Sequence, residues 1–361
     1  MLSGVKVLDL SRVLAGPLCT MILGDLGADV IKVERPGAGD DTRGWGPPFD
    51  ERGESAYFLS INRNKLSLAA DLNAPDDRQL VERLIGEADV VVENFLPGVL
   101  TRRGLDPDRL VARHPGLVWC TISGFGPGSQ RPGYDFVVQA EQGWMAITGD
   151  PEGPPTKVGV ALVDVVTGKD AAVAILAALV ARGRTGRGAH VHVSLAASAT
   201  AALINAAQNV LVSGQDAGRW GNAHPNLVPY QLFQAADRAI VIAVGNDAQW
   251  ASLVRTLKLD TYDNERYATN RARLAARDAI VQALAARLRE RPAAEWVRML
   301  DAAAVPCGVV RTVAEVVQEA GASPLTGIAP SVPGTVRRPP PRLDEHGQGI
   351  RARGWGYFTN G

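Results

Sequence analysis

The sequence predicts an α/β protein that combines a large Rossmann-like, doubly wound domain with a smaller α/β domain. In residues 1–123, short apolar strands alternate with helical segments, a pattern typical of a parallel sheet covered on both faces. A connection rich in Gly, Asn, His and Pro follows at 213–229. The chain has 361 residues, whereas single hydrophobic cores usually stop growing at about 250 to 300 residues. We therefore expect two domains.

The N-terminal region contains two β-α-β units followed by one more helix and strand. Its apolar runs predict strands at 5–10, 29–34, 66–72, 88–93 and 117–123. Helical periodicity predicts helices at 16–27, 76–87 and 106–113. Because each of these helices lies between two apolar strands, the order favours a doubly wound layer.

The remaining elements divide between the two domains. A long alanine-rich helix is predicted from about Lys169 to Arg182, followed by a strand at 190–194 and a helix to about Val212. Further strands are predicted at 230–233, 239–244 and in the VPCGVV segment, and further helices at 247–257, 277–290, 294–302 and 313–319. We assign residues 1–212 and 306–361 to the large domain, 213–229 to a linker and 230–305 to the small domain.

The composition is that of an ordinary globular protein, with 46% hydrophobic and 21% charged residues. Its 38 basic and 38 acidic residues give no net charge, so no global field favours nucleic acid or a membrane surface as a partner. Cys19, Cys120 and Cys307 are far apart and lack CxxC spacing, which argues against a disulfide framework and a zinc site. The N-terminus lacks the pattern of a signal peptide, and the most apolar helical stretches are too short or too polar to span a bilayer. We expect a cytoplasmic protein.

Two histidines are spaced for a shared strand face. His190 and His192 alternate with valines, so we expect both side chains on one side of the strand at 190–194. Two histidines at this spacing could hold a metal, but no third ligand with suitable spacing is nearby. We favour a polar strand face and predict no metal site.

Several nucleotide and hydrolase motifs are incomplete or missing. The GFGPG run at 124–128 follows a strand, but Pro127 and the residues after it do not begin a helix as a dinucleotide-binding loop does. Glu34 ends the second strand like a ribose-binding acid, yet the preceding turn at 11–17 has no Gly-x-Gly, so we reject nicotinamide binding. The chain has no Walker A motif and no Gly-x-Ser-x-Gly elbow, the usual parts of phosphoryl transfer and serine hydrolysis.

The run GVALVDVVTG at 159–168 places Asp164 between an apolar strand-like stretch and the helix predicted from Lys169. A carboxylate at such a junction meets backbone N–H groups and the positive end of the helix dipole, so we expect it to be ionised and aimed outward. That state suits a nucleophile that attacks a thioester. Asp is also a favoured helix N-cap, and capping is the commoner role of an aspartate in this setting. The segment alone leaves both roles open.

Many segments, taken in order, resemble one family. They include VLDLSRVLAGPLCTMILGDLGADVIKVERPGAGDDTRGWGPPF, ADVVVENFLPGVLTRRG, SGFGPG, PGYDFVVQAEQGWMAITG, VGVALVDVVTG, GNAHPNLVPYQLF and RRPPPRLDEHG, which together extend over nearly the whole chain. This succession is similar to the class III CoA-transferases of the formyl-CoA transferase and carnitine CoA-transferase type, a family that also includes α-methylacyl-CoA racemases. The resemblance implies an interlocked homodimer that acts on an acyl-CoA and a carboxylic acid. It implies no metal or redox cofactor, since CoA is a substrate.

The resemblance also assigns roles around the proposed nucleophile. The family aspartate that matches Asp164 attacks the acyl-CoA, forming an acyl-aspartyl anhydride and then an aspartyl-CoA thioester. Tyr134 stands where racemases have histidine, the base that moves a proton on and off an α-carbon, so a transferase is favoured over a racemase or isomerase. Asp135 matches an acidic position near the transferase active site, with a turn cap as its alternative. Gly245 and Asn246 resemble a mobile loop over the site, with a turn and helix N-cap as the alternative.

The CoA contacts implied by the resemblance are spread over four segments. They are Leu14 and Ala15 in the first turn, Arg35 after the second strand, Asp71, Leu72 and Asn73 after the third, and Asn94, Phe95 and Arg102 after the fourth. Two of these depart from the family, which has glutamine at the position of Leu14 and a CoA-binding lysine near Asn73. The RWGNAHPNLVPYQLF run and the ITG after Trp144 are most similar to the members that move CoA between succinyl-CoA and dicarboxylic acids such as glutarate, and this resemblance implies succinyl-CoA as the donor. A non-catalytic acyl-CoA-binding protein remains a third hypothesis.

Overall fold

The computed structural model describes residues 1–360, which form two sheets with helices packed on them. Six parallel strands run in the order β3-β2-β1-β4-β5-β6, and three antiparallel strands in the order β7-β8-β9. The strands are β1 (Lys6–Asp9), β2 (Asp29–Glu34), β3 (Lys65–Ala69), β4 (Val90–Glu93), β5 (Val118–Ser123), β6 (His190–Ser194), β7 (Tyr230–Gln234), β8 (Ala239–Ala243) and β9 (Cys307–Val309). This strand order confirms the predicted Rossmann-like fold.

The α-helices follow in chain order. They are α1 (Ala15–Asp25), α2 (Ala56–Ile61), α3 (Pro75–Glu87), α4 (Val99–Arg102), α5 (Pro107–Arg113), α6 (Asp135–Glu141), α7 (Trp144–Ile147), α8 (Leu162–Thr185), α9 (Leu195–Ala201), α10 (Ile204–Ser213), α11 (Asp247–Leu257), α12 (Asn270–Ala275), α13 (Arg277–Leu288), α14 (Ala293–Ala302), α15 (Val313–Glu319) and α16 (Gly347–Arg353). Short 3₁₀ helices occur at Asp41–Gly44, Asp260–Tyr262, Glu265–Tyr267 and Gly354–Asn360.

The chain forms two compact units. Unit 1 comprises residues 1–144, 157–215 and 317–361, and unit 2 comprises 145–156 and 216–316. These units differ from the predicted division at three places. The predicted linker is not separate, since residues 213–215 belong to unit 1 and 216–229 to unit 2. Residues 145–156 belong to unit 2, and so do residues 306–316, because β9 pairs with β8 rather than with the large sheet.

The parallel sheet of unit 1 is buried on both faces, which explains its continuous apolar strands. In β1, Val7 packs into one core with α1 and α8, and the next residue, Leu8, packs into a second core with α3 and α5. Helix α8 crosses α1 at a close approach, where a Cβ atom on Gly168 would lie 2.6 Å from the Ala15 carbonyl oxygen. The second turn of α8 therefore packs closely against the start of α1.

Helix α8 begins at Leu162, seven residues before the predicted start near Lys169. Of the apolar stretch predicted as strand-like, residues 159–161 precede the helix and 162–163 begin it, and Asp164 is the third helical residue. The expectation of Asp164 at a strand–helix junction was wrong.

The prediction that His190 and His192 share one strand face is confirmed, since their rings lie on one face of β6 with centroids 4.0 Å apart.

Unit 2 is built around its three-stranded sheet. Helices α11, α13 and α14 pack on the sheet through a core that contains the buried indoles of Trp250 and Trp296.

Across residues 1–360, no single helix combines the length and apolar composition that crossing a bilayer requires. The bent pair α9 and α10, at 66° to each other, does so only when the two helices are taken together.

Candidate active site

Two adjoining cavities open at the carboxyl edge of the parallel sheet. The nucleophile cavity, of about 190 Å³, is lined by Asp164, Tyr134 and the turns after β1, β4 and β5. The outer cavity, of about 610 Å³, is lined by the segments after β1, β2, β3 and β4. Arg12, Phe95 and Leu96 line both cavities. The cavities therefore meet where the strand order reverses between β1 and β4, the usual position of ligand sites in such sheets.

Asp164 is the buried acid of the nucleophile cavity. Its side chain leaves the first turn of α8, and the residue is only 8% exposed. Within residues 1–360, its carboxyl group has no hydrogen-bond or ion-pair partner. Burial, and then the negative charge of Asp135, raise the pKa of Asp164 from 3.8 to about 7. Burial and the charge of Asp135 therefore oppose the ionised state that we expected for this carboxylate, and the group is about half ionised near pH 7.

Asp135 supplies the cap that Asp164 was expected to provide. Its Oδ1 atom accepts hydrogen bonds from the backbone N–H groups of Val163, at 2.8 Å, and Asp164, at 3.2 Å. Its Oδ2 atom accepts from the Nε2 group of Gln139 at 2.6 Å. The residue at the N-cap of α8, Ala161, has no side chain able to do this. A carboxylate from α6 therefore fixes the start of the helix that carries Asp164.

The turn after β1 forms the opposite wall of the nucleophile cavity. Val13 has a φ angle of 72°, which is strained for a β-branched residue. Asn94 holds this turn from both sides, because its Oδ1 accepts from the Arg12 amide at 2.9 Å and its Nδ2 donates to the Arg12 carbonyl at 2.7 Å. Helix α1 starts immediately afterwards. Among the described residues, the backbone amides of Ala15 and Gly16 meet no acceptor.

The predicted CoA contacts divide between the two cavities. Leu14, Ala15 and Asn94 line the nucleophile cavity, Arg35, Asp71, Leu72 and Asn73 line the outer cavity, and Phe95 lines both. Arg102 lines neither cavity, whereas its neighbour Arg103 lines the outer one. The side chain of Asn94 is engaged with the Arg12 backbone, so its observed contacts position the turn.

The other predicted site residues have more local settings. Tyr134 is 57% exposed and lines the nucleophile cavity. In unit 2, the Asn246 side chain caps α11 by accepting from the Gln249 amide at 2.9 Å, and the Gly245 amide donates to Gln249 Oε1 at 2.8 Å. This reciprocal pair is the turn and N-cap that the sequence offered as the alternative to a mobile loop.

The sequence analysis missed three residues near these cavities. Arg12 and Arg103 line them, and both lie within segments quoted for the resemblance, two residues before Leu14 and one residue after Arg102. Tyr57 on α2 is half-buried, and burial together with the negative charges of Asp164, Asp135 and Asp40 raises the pKa of its phenol to about 12. No signal in the sequence around Tyr57 points to a site, because the link to Asp164 is made only in the folded chain.

No group of three or more His, Cys, Asp or Glu side chains suited to a metal ion occurs within residues 1–360.

The family model described as CoA-transferase family III matches residues 2–347. The chain belongs to CoA-transferase family III. It is therefore an enzyme. Its curated relatives include CoA-transferases that are named for an acyl-CoA or a carboxylic acid.

Two curated relatives are similar to the family III CoA-transferase over most of its length. Succinyl-CoA:glutarate CoA-transferase of Mus musculus is 45% identical over 323 residues, which cover 88% of this chain and 74% of the relative. Succinate–glutarate CoA-transferase of Agrobacterium fabrum (strain C58) is 43% identical over 323 residues, covering 87% and 81%. A crystal structure of a CaiB/BaiF family protein from Brucella suis matches with a TM-score of 0.86 and 42% identity, covering 97% of this chain and 98% of that one.

Proposed function

We propose that this family III CoA-transferase moves CoA from succinyl-CoA to a dicarboxylic acid such as glutarate, with Asp164 as the nucleophile. The observation that carries the proposal is the Asp164 carboxyl group, which lies in a cavity without a protein partner. That cavity adjoins a larger one lined by five of the nine implied CoA contacts. The relatives named for succinyl-CoA and glutarate support the choice of substrates.

The proposed reaction has four acyl-transfer steps. The ionised Asp164 attacks the succinyl-CoA carbonyl and expels CoA thiolate, which leaves a succinyl-aspartyl anhydride. The thiolate then attacks the aspartyl carbonyl, which releases succinate and forms an aspartyl-CoA thioester. The acceptor carboxylate attacks that thioester, so CoA thiolate leaves again and a new anhydride forms. Finally the thiolate attacks the acceptor's acyl carbon, which yields the new acyl-CoA and regenerates the Asp164 carboxylate.

The setting of Asp164 suits these steps. A pKa of about 7 leaves a substantial fraction of the group ionised near neutral pH, and its poor solvation makes the carboxylate a better nucleophile than an exposed one. The amide of Ala15, which begins α1 and lines the same cavity, is a donor available to negative charge that develops on a carbonyl oxygen. No step gains or loses electrons, so the scheme uses CoA as a substrate and needs no redox cofactor.

The test incubates the enzyme with succinyl-CoA and a panel of carboxylic acids and resolves the acyl-CoA products by mass. We expect dicarboxylic acids to accept CoA, and we expect Asp164→Asn and Asp164→Ala to abolish transfer. Asp76→Asn is the matched control, because Asp76 also lies in the first turn of a helix but is exposed. Transfer to no acid from several donors would contradict the function, and solvent deuterium entering an α-carbon without transfer would favour the racemase hypothesis.

Trapping tests the mechanism separately from the substrates. Hydroxylamine added during turnover converts an activated aspartyl carbonyl into a hydroxamate, which peptide mass mapping locates. We expect the modified peptide to contain Asp164. Modification of another carboxylate would overturn the assignment of the nucleophile while leaving CoA transfer intact.

We also propose that the enzyme is a homodimer. Helix α10 buries none of its residues within the chain, and its Ile204, Leu211 and Val212 are among the most exposed apolar side chains of unit 1. An apolar face of this kind is costly in water and suits a second copy of the chain. Light scattering on the purified protein tests this, and a monomer at micromolar concentration would contradict it.

A further inference from the structure

The outer cavity contains one cationic side chain whose charge is not neutralised by a carboxylate. The cations that line it are Arg12, Lys32, Arg35 and Arg103. Among residues 1–360, Arg103 has no carboxylate oxygen within 4.0 Å, although it is half-buried. An unpaired guanidinium at the wall of a cavity of about 610 Å³ is a ready partner for an anion.

The other three cations are already paired. Lys32 Nζ lies 2.9 Å from Asp40 Oδ2 in a fully buried ion pair. Arg12 and Arg35 share one carboxylate, Asp41, at 2.9 Å and 3.0 Å. Asp41 therefore offsets part of the attraction that these two arginines would exert on an anionic ligand. Arg103 is left as the cation of the cavity wall that is best able to donate hydrogen bonds to an anion.

Arg103 is also held in place. Its Nε–H donates to Asn73 Oδ1 at 3.2 Å, and Asn73 is fixed in turn because its backbone amide and its Nδ2 both donate to Asp71 Oδ1 at 2.9 Å. The Arg103 guanidinium carbon lies 5.9 Å from the centroid of the Phe95 ring. These contacts use only the Nε–H, so the terminal nitrogens keep their fork of N–H groups for a ligand.

We propose that Arg103 binds a phosphate group of the nucleotide part of CoA. The inference rests on the proposed function, which requires the thioester end of the substrate to lie at Asp164 in the nucleophile cavity. The nucleotide end then occupies the outer cavity, which is continuous with the first through Phe95 and Arg12. The anionic groups at that end are the 3′-phosphate and the 5′-diphosphate, and a guanidinium fork matches either.

The test compares Arg103→Gln with the native enzyme on three donors: succinyl-CoA, succinyl-3′-dephospho-CoA and succinyl-pantetheine. Losing one charge-assisted hydrogen-bond donor should raise KM for succinyl-CoA by about tenfold and change kcat less than about twofold. Succinyl-pantetheine carries no nucleotide, so its KM should not change. A defect that disappears with the dephospho donor assigns the 3′-phosphate, and one that persists assigns the diphosphate. Equal defects on all three donors, or none, would overturn the proposal.

A second-site variant separates ligand binding from a structural role. Asn73 Oδ1 contacts Arg103, so Asn73→Lys places an ammonium group at the same wall. We expect Asn73→Lys to recover most of the lost affinity in the Arg103→Gln background. Arg109→Gln is the matched control, because Arg109 is an exposed arginine on the neighbouring helix α5 and lines neither cavity. Failure of the rescue together with a lowered unfolding midpoint for Arg103→Gln would assign a structural role instead.

Calorimetric titration with CoA keeps this inference distinct from the proposed function. If the native enzyme binds CoA but transfers it to no acid, the proposed function fails, while a weaker CoA affinity of Arg103→Gln still supports the role of Arg103. If transfer occurs and Arg103→Gln binds CoA with native affinity, the inference about Arg103 fails and the proposed function stands.

Discussion

Replacing the proposed nucleophile should stabilise the fold in a pH-dependent way. The pKa of Asp164 is raised from 3.8 to about 7 in the folded protein, so the folded state keeps a proton that the unfolded chain has already released. The stability that this proton contributes is fully present below the unfolded pKa and is lost as pH rises through the folded pKa. Over about three pH units the loss amounts to about 4 kcal/mol. Asp164→Asn has no ionisable group at this position, so its free energy of unfolding does not undergo this loss as pH rises.

The assay measures guanidinium unfolding of the two proteins, without substrate, at several pH values from about 5 to about 8. We expect the free energy of unfolding of Asp164→Asn to exceed that of the native enzyme increasingly across this window, with a gain of about 3 kcal/mol between its two ends. The difference should level off above the folded pKa of about 7, where Asp164 is ionised in both states. All other titrating groups are common to the two proteins and largely cancel.

A constant difference across the pH range would refute the argument, because it would mean that the Asp164 carboxyl titrates normally in the folded protein. A lowered pKa, as expected for a carboxylate that caps its own helix, would also give a constant difference, because the group would then be ionised in both states from about pH 5 upward. Asp76→Asn serves as the control. Its carboxyl is exposed in the first turn of α3, so its effect on unfolding should be small and nearly independent of pH.

Two further substitutions perturb the surroundings of Asp164. Asp135→Asn removes the like charge that is the second cause of the raised pKa, so the acid limb of kcat/KM for succinyl-CoA should move about one pH unit toward lower pH; a limb that stays or moves upward would contradict this. Gly168→Ala places a Cβ atom 2.6 Å from the Ala15 carbonyl, so it should lower kcat and cost about 1–3 kcal/mol of unfolding free energy. Gly183→Ala, on the same helix but with no neighbouring atom within 4 Å, should keep full activity; an equal loss in both variants would exclude the α1 contact as the cause.

The elements with clear local patterns could be predicted from the sequence almost to the residue. Strand β2 (Asp29–Glu34), strand β6 (His190–Ser194), helix α11 (Asp247–Leu257) and helix α15 (Val313–Glu319) have the predicted bounds. In each case an alternating or apolar strand pattern, or a helical period, is bounded by turn or capping residues. The alternation of such elements also sufficed for the Rossmann-like fold.

The elements that depend on distant contacts could not be placed in this way. The run at 160–163 is apolar and contains two valines, so it reads locally as a strand, but Asp135 caps it as the start of α8 from 28 residues away. Strand β9 joins the small sheet because β8 is its hydrogen-bonded neighbour, which no local pattern near Cys307 shows. In both cases the deciding group is far away in the sequence.

The same contrast between local patterns and distant contacts applies to the candidate site. The segments that contain the site were identifiable from ordered motifs, but the side chain that faces the cavity was not always the one expected. Arg102 is the last residue of α4 and Arg103 is its C-cap, and of these two neighbours only Arg103 lines the outer cavity. The pKa of Asp164 is likewise set by burial and by Asp135, and neither is visible from residues 159–168 alone.

Capping and nucleophilic attack compete for the same oxygen atoms, and this chain separates the cap and the proposed nucleophile between two aspartates. A carboxylate that accepts the first amides of its own helix is stabilised, has a low pKa and is a poor nucleophile. Asp135 takes those hydrogen bonds from Val163 and Asp164, which leaves both oxygens of Asp164 without a protein partner. The charge of Asp135 then adds to burial in raising the energy of the ionised Asp164. The cap that orders the helix therefore also keeps its acid reactive, so the same contact serves folding and the proposed chemistry.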